Sequence, residues 1–200
     1  MTQIAELRFG IVLFDGVEEL DWVGPWEVLA SWKHHFPEDQ IDVFTLSPDG
    51  ELVTCAKGAR VLSDHSYADH PPIDVLIFPG GQGTRPQLGD ERVRNWVREI
   101  AKSAHLVASV CTGALVLADA GLLDGRPATT HWASLELLRS LGRDIEVRAE
   151  ARFVDDGEVV TAAGVSAGID MALHLVARLG SVERARQVRR YIQYDPEPPV

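Results

Sequence analysis

The chain is poor in cysteine, with two in 200 residues. Two thiols make no disulfide framework, and no Cys-x-x-Cys or Cys/His ligand spacing is present to hold a metal. Basic residues are also in deficit, 19 Lys plus Arg against 30 Asp plus Glu, for a net charge of −11. Nucleic acid and anionic membrane surfaces both require a basic face, so neither is expected as a partner. The basic cluster at Arg184, Arg186, Arg189 and Arg190 is short and helical and reads as a solvated helix face. Long apolar runs are missing. The first, Phe9 to Phe14, is too short to span a bilayer or to form a signal-peptide core, and Glu6 and Arg8 precede it. A cytoplasmic location with reduced thiols is therefore expected. No linker, repeat or low-complexity segment divides the chain, so one domain over residues 1–200 is expected. Its 46% hydrophobic and 24% charged residues are enough to build one substantial core.

What is present alternates between strand and helix. Leu7–Phe14 is a near-continuous apolar run, as in a strand buried on both faces. Ile41–Leu46, Val75–Phe78 and Leu106–Val110 read as further strands. Helices are predicted over Glu19–Ser31, with Gly24-Pro25 bending or restarting it, and over Glu91–Ala104. Ser134–Leu141, Ser166–Leu179 and Ser181–Tyr191 are three more. Arg152–Val154 and Glu158–Val160 flank Asp155-Asp156-Gly157 as a hairpin. The tail DPEPPV cannot continue a helix. The pattern is that of a doubly wound α/β sheet.

The stretch HLVASVCTGALV puts Cys111 where a strand ends and a helix begins. Ligands of open α/β sheets bind at carboxyl strand ends, and a helix start favours an anion. A thiol there is expected to have a lowered pKa. A free cysteine also fills core space well, so nucleophile and core thiol both stand. Cys55 has no such elbow and reads as a structural thiol. FPGGQG, at another strand end, lets Gly80 and Gly81 approach a ligand closely and offer N–H groups to an oxyanion. It does not match the dinucleotide fingerprint. Glu18, Glu19 and Asp21 in VEELDWVGP are three acids, any of which could hold a proton near the thiol. His131 in ATTHW fits either a base or a hydrogen-bonded structural residue. His34, His35, His65 and His70 show no ligand spacing and read as surface residues.

Together FDGVEELDWVGPWEVLA, DVLIFPGGQG, ASVCTGALVLADAGLLDGRPATTHW and VVTAAGVSAGIDMALHLVA resemble the ThiJ/PfpI superfamily, relatives of the class I glutamine amidotransferases, over nearly the whole chain. The resemblance implies a flavodoxin-like, mostly parallel sheet with a nucleophile elbow. It implies that Cys111 is reactive, that Asp21 is the acid bonded to it, and that Gly80 and Gly81 form the oxyanion region. The VCTG elbow and the YDPEPPV ending resemble the isocyanide hydratases of that superfamily, which adds Thr112 to the catalytic set and leaves His131 as a substrate-side residue. The implied activity is hydration of a small-molecule isocyanide to a formamide, without metal or organic cofactor, by a homodimer. Glyoxalase- or deglycase-like chemistry on small aldehydes, a cysteine redox sensor and a ligand sensor are the alternatives. The same motifs occur in sensor domains of AraC-type regulators, which continue into a helix-turn-helix pair. This sequence reaches Val200 without one. Trp22 and Trp26 depart from the pattern and are expected to crowd Asp21.

Overall fold

A computed structural model describes residues 6–197. The strands are β1 (Leu7–Val12), β2 (Ile41–Ser47), β3 (Leu52–Thr54), β4 (Arg60–Leu62), β5 (His65–Ser66), β6 (Val75–Phe78), β7 (Leu106–Val110), β8 (Pro127–Ala128), β9 (Glu146–Val147), β10 (Phe153–Asp155) and β11 (Val159–Ala162). The helices are α1 (Glu19–His35), α2 (Glu91–Ser103), α3 (Gly113–Asp119), α4 (Leu135–Leu141), α5 (Ala167–Leu179) and α6 (Val182–Tyr191). Seven strands form the central sheet in the order β10-β11-β7-β6-β1-β2-β5. Its pairings are parallel except β10 with β11.

Two apolar layers sandwich the sheet, and the strands alternate between them. In β6, Val75 and Ile77 join one layer with Val28, Leu29 and Trp32 of α1 and Met171 and Leu175 of α5. Leu76 and Phe78 enter the opposite layer with Leu115 and Leu117 of α3 and Leu138 of α4. The period of two in a strand sends successive side chains to opposite faces, so a strand covered on both faces reads as an unbroken apolar run.

From β1 the chain passes to β2 on one side, while β6 lies on the other. The carboxyl ends of β6, β1 and their neighbour β7 therefore splay apart at a topological switch point, where α/β sheets leave a crevice. One contact fixes the spacing there. A Cβ on Gly113, the first residue of α3, would lie 2.0 Å from the Phe78 carbonyl oxygen. Only a hydrogen at that position lets α3 start directly beside the end of β6.

Several elements differ from the sequence reading. Helix α1 does not restart at Gly24-Pro25 but runs on to His35. Pro25 has no N–H for the Asp21 carbonyl, yet burial against α5 outweighs the lost bond, with Gly24 meeting Ile169 and the Pro25 ring meeting Gly168. The β3–β4 hairpin and β5 carried too few apolar residues to register as strands. A 3-10 segment, Gln82–Gln87, follows Gly81. His65 and His70 are half-buried rather than on the surface: His65 packs edge-on against Phe44, and His70 bonds the Pro71 carbonyl. Arg184 is also half-buried, paired with Asp39 and Glu38. Of the YDPEPPV ending, residues 198–200 lie outside the described residues. No helix among the described residues is long and apolar enough to cross a membrane.

Gly113→Ala is expected to lower the stability by about 2–4 kcal/mol, since the new methyl must displace backbone rather than a mobile side chain. Urea unfolding of the variant beside the parent measures this. No loss, or the small gain of an ordinary helical Gly→Ala exchange, would show that the two elements can slide apart.

Candidate active site

Cys111 follows β7 directly and takes φ +54, the left-handed region that non-glycine residues rarely occupy. Its own N–H donates to the Ala162 and Ala163 carbonyls at 3.1 and 2.9 Å, and its carbonyl accepts the Thr130 hydroxyl at 2.7 Å. The elbow is thus held from both sides of the peptide. The side chain is 6% exposed. Its sulfur accepts backbone N–H groups from Thr112 and Val165 and meets the Asp21 carboxyl.

Asp21 comes from the first turn of α1 and is fully buried. Its Oδ2 accepts the Gly80 N–H at 2.9 Å. Oδ1 has no hydrogen-bond partner, and the Cys111 thiol lies against the carboxyl. Burial pushes Asp21 up to about 7, against the opposing pull of the Gly80 N–H and the thiol. Burial, and then the Asp21 charge, push Cys111 up to about 12, with the Thr112 and Val165 N–H groups acting the other way. The lowered thiol expected from the helix start is therefore not found. A seven-residue helix offers a modest field, and burial of the sulfur, with the Asp21 carboxylate beside it, outweighs it. The two groups titrate as a pair that carries one negative charge near neutrality.

The acids left open by spacing separate in space. Glu18 forms an ion pair with Lys57. Glu19 Oε1 accepts the Lys57 and Ala59 N–H groups at 2.8 and 3.4 Å. Burial alone would raise Glu19, but these N–H donors hold it below its ordinary value. Both acids are spent fastening the β3–β4 hairpin, and Asp21 alone faces the sulfur.

Gly80 is squeezed between the two halves of the site. A Cβ there would lie 2.4 Å from the Thr112 nitrogen and 2.8 Å from Asp21 Oδ2. The oxyanion role expected of Gly80 and Gly81 meets an obstacle, because both N–H groups are committed. Gly80 donates to Asp21, and Gly81 donates to Thr112 Oγ1 at 2.9 Å. The Thr112 hydroxyl in turn lies 3.2 Å from the Gly81 carbonyl and 3.2 Å from Thr84 Oγ1. It clamps the β6 loop to the elbow. His131 Nδ1 accepts the Ala133 N–H at 3.3 Å, and its ring packs on Gly164, where a Cβ would lie 2.5 Å from Cδ2. His131 has no hydrogen bond to the thiol. Trp22 packs against both core layers with its indole beside Cys55. Trp26 lines a surface groove of about 640 Å³ with His34, His35 and Tyr191. Cys55 is a core thiol at 4% exposure, raised by burial.

Sequence reasoning missed Val165. It takes φ +43, which is rare for a β-branched residue, and this turns its N–H onto the sulfur. Nothing in the residue type signals it, because valine is the wrong amino acid for that conformation. No cluster of three or more metal-ligating side chains occurs among the described residues.

Residues 8–178 match the DJ-1/PfpI family model. The chain is 40% identical over 193 residues to the isonitrile hydratase of Pseudomonas putida, covering 96% of this chain and 81% of that protein. It is 31% identical to the HTH-type transcriptional regulator CdhR of Pseudomonas aeruginosa, covering 90% of this chain and 53% of the regulator. Among solved structures, a ThiJ/PfpI family protein from Pseudomonas syringae superposes with a TM-score of 0.88 at 29% identity, over 98% of this chain and 78% of that one. Drosophila melanogaster DJ-1beta shares the fold, with a TM-score of 0.82 at 23% identity over 96% of this chain and 100% of that one.

Asp21 makes stability depend on pH with a definite sign. Its pKa rises from an ordinary 3.8 to about 7 on folding, so the folded chain keeps a proton that the unfolded chain releases. That stabilisation is complete below pH 4 and is lost as pH rises through 7, on the order of 4 kcal/mol in all. Urea midpoints of Asp21→Asn should vary less between pH 4 and 7 than those of the parent. Equal slopes in the two proteins would refute the assignment.

Proposed function

The chain belongs to the DJ-1/PfpI family, and from that membership we propose that it is a cysteine-dependent isocyanide hydratase, converting R–N≡C and water to the formamide R–NH–CHO. The observation that carries this reading is the Cys111 sulfur on a strained elbow, with the Asp21 carboxyl and two backbone N–H groups around it. The 40% identity to an isonitrile hydratase supports the same reaction.

In the reactive form the pair holds its one proton on Asp21 and its charge on sulfur. The Thr112 and Val165 N–H groups favour that arrangement. The thiolate bonds the terminal isocyanide carbon while the Asp21 proton passes to that carbon, giving a thioimidate, Cys–S–CH=N–R. Asp21, now a carboxylate, takes a proton from water as the oxygen adds to the same carbon, and returns it to the nitrogen. The hydroxyl proton then goes back to Asp21 as the C=O forms and the C–S bond breaks. Formamide leaves, and thiolate and acid are restored. Every proton moves through one carboxyl, and a pKa near 7 suits a group that must both give and take. The near-closed sulfur suits a slim, linear functional group with its reacting atom at the tip.

Gly80, Gly81, Thr112 and His131 serve here by holding the loops, since their hydrogen bonds are internal. The unit is proposed to be one domain that acts as a homodimer, with the exposed Leu20 and Trp26 of α1 as apolar surface for a second copy. Similarity to an HTH-type regulator favours a second reading, ligand sensing by the same pocket. Binding of a small molecule without turnover would support that.

The test is to follow formamide formation from a simple aryl isocyanide. The parent should turn over, Cys111→Ala should not, and Asp21→Asn should lose about 10²–10⁴-fold in kcat. Turnover by Cys111→Ala would remove the thiolate from the mechanism, and silence from the parent would remove hydration.

A further inference from the structure

Acids outnumber bases 30 to 19, so a basic side chain in this protein readily finds a carboxylate. The partly buried arginines among the described residues are Arg8, Arg85, Arg94, Arg126 and Arg184. Arg8 pairs with Glu6, Arg94 with Asp119 and Glu91, Arg126 with Asp156 and Glu158, and Arg184 with Asp39 and Glu38. Arg85 has no carboxylate partner among the described residues. It donates from Nη1 to Thr84 Oγ1 at 2.9 Å and from Nη2 to Ser134 Oγ at 3.2 Å. Both acceptors are neutral, and three of its five N–H donors are left without a protein acceptor. A partly buried guanidinium with two hydroxyl partners and donors to spare is open to a further, anionic partner.

Its position decides what that partner serves. Thr84 is fully buried and lies 3.2 Å from the Thr112 hydroxyl, and the Thr112 N–H is bonded to the Cys111 sulfur. Ser134 belongs to the segment that begins at Thr130, whose hydroxyl holds the Cys111 carbonyl. The guanidinium therefore bridges the two loops that flank the elbow, a few side-chain contacts from the sulfur. The hydration reading makes no use of it.

We propose that Arg85 binds an anionic group, a carboxylate, on the small electrophile that reacts at Cys111. Taken with hydration, on which the substrate class rests, the preferred substrate is an isocyanide that carries a carboxylate a few atoms from its terminal carbon. A planar carboxylate matches the guanidinium fork in two parallel N–H···O bonds. The Asp21–Cys111 charge and the net −11 repel such a substrate, so a local cation is what would admit it.

Alkylation tests the subsite without assuming hydration. Iodoacetate and iodoacetamide are similar in size and differ in charge. In each, the Cys111 thiolate bonds the methylene carbon and iodide leaves with its electron pair. Mass spectrometry reads the rate on the Cys111 peptide apart from that of Cys55. The iodoacetate-to-iodoacetamide rate ratio should fall roughly tenfold in Arg85→Gln and less in Arg85→Lys, the loss expected for one charge-assisted contact. Ser134→Ala keeps the charge and removes a loop tie, so it should preserve the ratio. A ratio unchanged in Arg85→Gln, or lowered equally in Ser134→Ala, overturns the subsite. So does failure of either reagent to reach Cys111, since the site must admit a small electrophile. The parent's kcat/KM for a carboxylated isocyanide against a neutral one separates the two readings. An Arg85-dependent ratio in a protein that hydrates neither isocyanide keeps the subsite and drops hydration. Hydration with no Arg85 dependence does the reverse.

Discussion

A carboxyl and a thiol meet in a buried corner where two negative charges cannot stand together. Asp21 is wholly out of water and Cys111 nearly so; burial raises the proton affinity of both, and the Asp21 charge raises that of the thiol further. The single charge that they share needs N–H donors, and the surrounding backbone is shaped to supply them. Thr112 and Val165 serve the sulfur, and Gly80 serves the carboxyl. Two residues accept rare left-handed backbone to make this work, Cys111 and Val165. Gly80 and Gly113 lack side chains because the loops and the elbow lie too close for any.

The second constraint is the hairpin β3–β4, which is stapled to the loop after β1. Thr54 donates to Asp15, Gly16 to the Thr54 carbonyl, Ala56 to the Val17 carbonyl, and Lys57 to Glu19. These bonds fix the segment that leads into α1, and through it the place of Asp21. They also draw Glu18 and Glu19 away from the sulfur. The hydroxyl set of Thr84 and Thr112 does the same for the opposite wall, tying the loop after β6 to the elbow. Arg85 caps that set with a charge that no carboxylate among the described residues pairs with.

Much of this was legible beforehand, for identifiable reasons. The central strands β1, β6 and β7 are buried on both faces, so they read as apolar runs with sharp ends. Those ends are where the crevice lies, which is why Cys111 and the Pro-Gly-Gly turn stood out. The β3–β4 hairpin was illegible because it lies half in water: Leu52 and Leu62 are exposed, and the pattern of burial is too weak to announce strands. Trp26 was expected near the acid because it is near in sequence. Five residues along α1 are well over one turn and leave it about 140° around the helix from Asp21.

The residues alone determined the layer order of sheet and helices, the elbow and the acid-bearing first helix, since each depends on hydrophobic period and on local turn chemistry. The tertiary structure decided everything that depends on contacts across the chain. It chose Asp21 over its neighbours, raised a thiol that its helix position alone would lower, and spent the glycine N–H groups on internal bonds. It also brought Val165 from far along the chain to the sulfur. Burial and proximity set those outcomes, and both are properties of a folded neighbourhood that no local pattern encodes.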